Sequence, residues 1–168
     1  GQVLFYPWID FTMSRPSMSI NLNGLIVKKS TLDYFADHYL NDNDDITNWK
    51  ISPLLYSDFY GMPITYIYGA GLDPLVDEGY ALMKRLKSFE NEVHYKVYEG
   101  QMHAFVSNIV SLPTSIDCIN EASEAIKKII NINNFVFFKL PFKDLNNFQI
   151  IFILKFNILY LIKKIINK

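Results

Sequence analysis

Asp73 and His103 are the two side chains whose types and settings point to proton transfer. Each follows a run that reads as a strand. Ile64 to Ala70 reaches glycines 69 and 71 before Leu72, Asp73 and Pro74, and Val93 to Tyr98 runs into Glu99, Gly100, Gln101, Met102 and His103. In an open parallel sheet, reactive groups collect on loops beyond the carboxyl ends of strands, and adjacent strands would bring these two loops together. A carboxylate bonded to one imidazole nitrogen fixes the tautomer and stabilises the imidazolium, leaving the other nitrogen to take a proton from a nucleophile. From the residue pattern alone, Asp73 serves equally as that acid or as the cap of a helix that Pro74 begins. No serine has glycines two residues before and after it, as a strand-to-helix elbow requires, and no His-Gly-Gly run offers an oxyanion hole.

The other candidates read more simply as structure. Asp10 suits a turn carboxylate that accepts nearby amides, and Ser52, which precedes a proline, suits a turn hydroxyl. His38 lies off the apolar stripe of its helix, and His94 falls mid-strand on a polar face, so both read as surface or partner-bonded side chains. Asn41 to Asp45 lacks the ligand spacing, glycine and final glutamate of a calcium loop and reads as a solvated acidic loop. The single cysteine, Cys118, excludes an internal disulfide and gives no metal spacing. It reads as a small buried helix residue. No metal and no cofactor is expected.

The elements that must position Asp73 and His103 follow from hydrophobic period. Gln2 to Tyr6, halted by Pro7, is a continuous apolar run of the kind buried on both faces of a parallel sheet. Trp8 to Asn23 has no sustained period and reads as a loop over the site. Ser30 with Asp33 suggests a capping-box variant, and Leu32, Phe35, Ala36, Tyr39 and Leu40 fall at helical spacing. A second helix is expected over Glu78 to Ser88, with Lys84, Arg85 and Lys87 suiting its C-terminal end and Asp77 and Glu78 its N-terminal end. Glu90 to Tyr98 alternates as an edge strand, with Val93, Tyr95 and Val97 on one face. Ile116 to Ile132 reads as a final amphipathic helix with Ile119, Ala122, Ile126 and Ile129 or Ile130 inward.

Several segments together resemble the hormone-sensitive-lipase-like (fold-3) branch of the α/β hydrolases, which are carboxylesterases and lipases. They are Leu4 to Pro7 with Asp10, Tyr39 and Leu40, Ser52 to Leu54, Met62 and Pro63, Asp73 to Gly79, and Tyr98 to Gly100 with His103 to Phe105. The resemblance implies that Asp73 is the triad acid and His103 the triad base. It covers residues 1 to about 130 and implies the C-terminal half of such an enzyme, with the oxyanion motif and the serine elbow upstream of Gly1. Val76 stands where the family usually carries arginine, and Ala104 replaces the glycine that commonly follows the histidine. The first change removes a surface ion pair and the second crowds the turn that presents His103.

Length agrees with one domain or part of one: the chain has 168 residues, and a complete α/β hydrolase needs well over about 200. The expected organisation is a hydrolase portion over 1–132, with a lid-like insertion over 8–60, followed by a low-complexity apolar tail over 133–168. The fold class is α/β, the C-terminal portion of a hydrolase parallel sheet with flanking helices, plus an atypical helical tail. In the tail, Phe148 to Ile162 is strongly apolar, but Lys155 and Asn157 interrupt a run shorter than the roughly 18–20 residues that span a bilayer. An appended tail translated from AT-rich sequence is the preferred reading. A membrane-surface helix ending in Lys163, Lys164 and Lys168, or packing of the tail onto the domain, are the alternatives.

A net charge of −1 gives no electrostatic footprint for nucleic acid. No secretory leader is read after Gly1, and cysteine scarcity favours the cytoplasm. The function implied is a serine carboxylesterase or lipase acting on a small hydrophobic ester, with this chain inactive alone. Self-association, or pairing with an N-terminal half, would cover its exposed strand edges. A non-catalytic binding module and one half of a split hydrolase are the alternatives.

Overall fold

A computed structural model of the chain describes residues 1–20 and 25–132. Three strands form one parallel sheet: β1 (Gln2–Phe5), β2 (Thr65–Ala70) and β3 (Val93–Tyr98), in the order β1-β2-β3. The register pairs Gln2 with Thr65 and Thr65 with Val93, so the three strands start level. β2 and β3 also end level, at Ala70 and Tyr98, while β1 stops two residues earlier, and the loops that follow emerge at the same edge of the sheet. Helices α1 (Lys29–Tyr39), α2 (Val76–Ser88) and α3 (Pro113–Ile132) complete the regular structure, with short 3-10 turns at Pro16–Ser19, Pro53–Leu55 and Phe105–Ser107.

β2 is buried along its whole length, which explains why TYIYGA carries no polar alternation. One face of the sheet (Val3, Phe5, Tyr66, Tyr68) packs on Cys118, Ala122, Ala125 and Ile129 of α3. The other (Leu4, Ile67) packs on Leu82 and Leu86 of α2, with Leu54 and Phe59 from the connection before β2. A third cluster, Met18, Val27, Leu32 and Leu75, seats the segment after β1 on the start of α2.

The layout expected from sequence is corrected. The sheet occupies residues 2–98, the N-terminal and middle part of this chain, with α3 following it at Pro113–Ile132, and is not a C-terminal portion. The 133–168 tail, including the expected tail helix, lies outside the described residues. Smaller departures have local causes. α1 begins at Lys29 and not at a Ser30 cap, because the Lys28 amide donates to Thr31 Oγ1 at 3.3 Å. Its stripe is only half used: Leu32 and Ala36 are buried while Tyr39 is exposed and stacks on Phe11, ring centroids 5.5 Å apart. In α3 the buried line is Cys118, Ala122, Ala125 and Ile129, with Ile119 and Ile126 on its flank. The small residues of that line let the helix lie close to the tyrosines of the sheet.

Candidate active site

Asp73 and His103 meet directly. His103 Nδ1 donates to Asp73 Oδ2 at 2.7 Å, while Asp73 Oδ1 accepts the Leu75 amide at 2.9 Å. Asp73 is therefore both partner of the imidazole and cap of the turn that starts α2, and it is fully buried. A buried carboxylate held at both oxygens cannot rotate away, so it fixes one tautomer of His103 with Nε2 left unprotonated to accept a proton. Nε2 has no hydrogen-bond partner among the described residues. These include every serine of the sequence, and none of them hydrogen-bonds His103.

The two loops are sewn together by backbone. The Gly71 amide donates to Tyr98 O at 3.1 Å and the Leu72 amide to Gln101 O at 2.8 Å. Glycine suits position 71 because a Cβ would lie 3.2 Å from Glu99 Cα, a tight backbone approach, and 2.6 Å from Glu99 Oε2, which would have to swing aside. After the histidine the chain turns through Ala104 at φ 65°, ψ 12°, a left-handed conformation that costs an alanine about 1–2 kcal/mol. Phe105 and Val106, both buried, then lock the loop into the core.

Tyr6, at the end of β1, places its ring 4.5 Å from the imidazole at 52° and also takes a positive φ of 34°. Burial pushes its hydroxyl well above the ordinary tyrosine value, so it remains neutral. Beside His103 lies a cavity of about 130 Å³ lined by Tyr6, Trp8, Val27, Leu32, Phe35 and Leu75. A larger open groove of about 590 Å³ lies between β3 and α3, but it contains neither Asp73 nor His103.

The remaining candidates are elsewhere. Ser52 is buried, donates to Ile46 O at 2.6 Å and accepts the Phe11 amide at 2.9 Å, which leaves it a structural hydroxyl. His38 bonds Tyr34 O at 2.8 Å, and His94 bonds Glu92 at 3.1 Å on the surface. Cys118 is buried and burial pushes its thiol up to about 12. Asp44 and Asp45 hold the amides of Asn41 and Thr47, and no acid, histidine or cysteine cluster among the described residues is arranged for a metal.

Sequence reasoning missed three contributors. Tyr6 looked like the last residue of a strand, and the cavity wall from Val27 to Phe35 carries no motif. Asp77 and Glu78 satisfied helix electrostatics and drew no further attention. In the fold they reach backward: Asp77 Oδ2 accepts the Ser17 amide at 2.8 Å, and Glu78 Oε2 accepts those of Ile9 at 2.6 Å and Asp10 at 2.9 Å. Asp10 is also buried, accepting from Thr12 and lying 3.4 Å from the Arg15 guanidinium.

A parallel α/β sheet whose strand-end loops join a buried carboxylate to an imidazole has the arrangement that α/β hydrolases use beyond the carboxyl edge of their sheet. Residues 1–107 match the family described as alpha/beta hydrolase fold, and the chain belongs to that family. It is 36% identical over 107 residues to the carboxylic ester hydrolase LipN of Mycobacterium tuberculosis, covering 63% of this chain and 28% of that protein. It is 30% identical over 135 residues to an esterase of Gibberella moniliformis, covering 77% of this chain and 42% of that one. Among solved structures, the ester-hydrolase EH1AB1 from the metagenome of Lake Arreo superposes with a TM-score of 0.71 at 30% identity, covering 77% of this chain and 42% of that one. The chain thus spans less than half the length of each of these relatives. The extent inferred from sequence is corrected: the family match occupies residues 1–107, the N-terminal and core region of this chain, and is not a C-terminal half reaching to about 130.

Proposed function

We propose that this chain carries the acid and the base of a serine carboxylic-ester hydrolase, with Asp73 orienting His103 and His103 acting as general base and then general acid. The observation that carries the reading is the 2.7 Å bond between buried Asp73 and His103, whose other nitrogen has no partner among the described residues and whose ring borders an apolar cavity. In the reaction, His103 Nε2 takes the proton of a serine hydroxyl as its oxygen attacks the ester carbonyl. The imidazolium then protonates the departing alkoxide, leaving an acyl-enzyme that water, deprotonated by the same nitrogen, releases as a carboxylic acid. The serine and the oxyanion donors would come from a segment outside this sequence. The substrate is a small ester whose apolar part enters the cavity bounded by Trp8, Leu32 and Phe35. A cytoplasmic location rests only on the single cysteine.

That no serine of the chain bonds His103 favours a second reading, a non-catalytic remnant that serves as a binding module. One experiment separates the two. The chain alone should neither hydrolyse short p-nitrophenyl esters nor take up a fluorophosphonate probe. Joined to a segment bearing a nucleophile elbow and oxyanion hole, it should do both, and His103→Ala should then lower turnover by about 10⁴-fold or more. Labelling of a serine in the chain alone, or near-normal turnover in the His103 variant, would reject the assignment. Failure of the joined protein to turn over, with its fold intact, would favour the binding module.

A further inference from the structure

Glu78 is a carboxylic acid in a place where hydrolysis has no use for one. It has no exposed surface, it sits in the first turn of α2, and its side chain leaves the helix to grip the turn after β1. Oε2 holds two consecutive amides, Ile9 and Asp10, while Oε1 has no hydrogen-bond partner among the described residues. The residue immediately before the gripped pair is Trp8. Its indole stacks on Phe11 at 4.3 Å and forms a wall of the cavity that also touches His103.

We propose that Glu78 is a positioning residue for the site: through its grip on Ile9 and Asp10 it fixes the Trp8 wall beside His103, and its state of protonation sets how firmly that wall is held. The charged groups that bear on it are Asp10 and Arg15, both from the turn it grips. Burial raises the carboxyl from its ordinary 4.5 to about 8, and the Asp10 carboxylate adds to the rise. The two amides and the Arg15 guanidinium pull the other way without cancelling it. A second oxygen without a partner, next to another buried carboxylate, is tolerable while the group is neutral. Once it ionises, two like charges share a dry site, and the favourable response is for Glu78 to seek water and release the turn.

The effect on ester binding rests on the function proposed above, but the test does not, so the two can fail separately. In the 168-residue chain carrying Trp49→Phe, Trp8 is the only indole, and its accessibility to acrylamide reports the wall directly. The Stern–Volmer constant should rise at least two-fold between pH 6.5 and 9.5, with its midpoint near 8. Glu78→Gln, which keeps a neutral acceptor for both amides, should remain at the low value across that range. Glu78→Ala should show the high value throughout. A flat profile with Glu78 present would overturn the proposal. So would an unchanged rise in Glu78→Gln, or loss of the folded circular dichroism signal in that variant.

Discussion

His103 is presented by a turn that its own neighbour resists. Ala104 follows it in the left-handed region, where a methyl group crowds the next carbonyl and glycine meets no such penalty. Ala104→Gly should therefore stabilise the chain. Relief of about 1–2 kcal/mol in the folded state, less about 0.5–1 kcal/mol for the freer unfolded chain, leaves a gain of roughly 0.5–1 kcal/mol in urea unfolding. A loss of stability would mean that the left-handed turn is not the conformation in solution. Asp73 faces the opposite situation, since both of its oxygens are already engaged with His103 and Leu75. It combines the two readings that its residue type left open, cap and imidazole partner.

The organising element is the start of α2. Within six residues, Asp73 takes His103, the Pro74 carbonyl accepts the Ser17 hydroxyl at 2.5 Å, Asp77 takes the Ser17 amide and Glu78 takes those of Ile9 and Asp10. The helix can hold these partners in place only if its far end is fixed in the core. Leu86 does that, fully buried in one cluster with Leu4, Ile67 and Leu82. Leu86→Ala should cost about 2–5 kcal/mol in denaturant unfolding, the range for a buried leucine whose cavity does not collapse. A cost below about 1 kcal/mol would show that α2 is not anchored there.

At the scale of the molecule, the same buried acid leaves a mark on global stability. The folded carboxyl of Glu78 titrates near 8 and the unfolded one near 4.5, so across that window the folded chain keeps a proton that the unfolded chain has lost. Its contribution is complete below about pH 4.5 and disappears as the pH rises through 8. The urea midpoint should fall from pH 5 to 8 in the native chain and fall less in Glu78→Gln. Equal slopes would place the proton elsewhere. Nothing comparable is expected from the exposed pairs such as Lys29 with Asp33 and Lys127 with Glu124, which water and salt screen.

Much of this was legible in the residue order, because some constraints act within a few residues. Apolar runs and period-two alternation marked β1, β2 and β3 to within three residues of their ends, and helical spacing marked α1, α2 and α3. The strand-then-loop setting of Asp73 and His103 singled them out before any coordinates. Tertiary structure alone decided the rest. That Tyr6 faces the imidazole, that Val27, Leu32 and Phe35 wall the cavity, and that Glu78 reaches 69 residues back to Ile9 are outcomes of packing between distant segments. A helix-start glutamate looks the same in sequence whether its carboxylate meets water or a buried amide, since burial is a property of what folds over it and not of the residue itself.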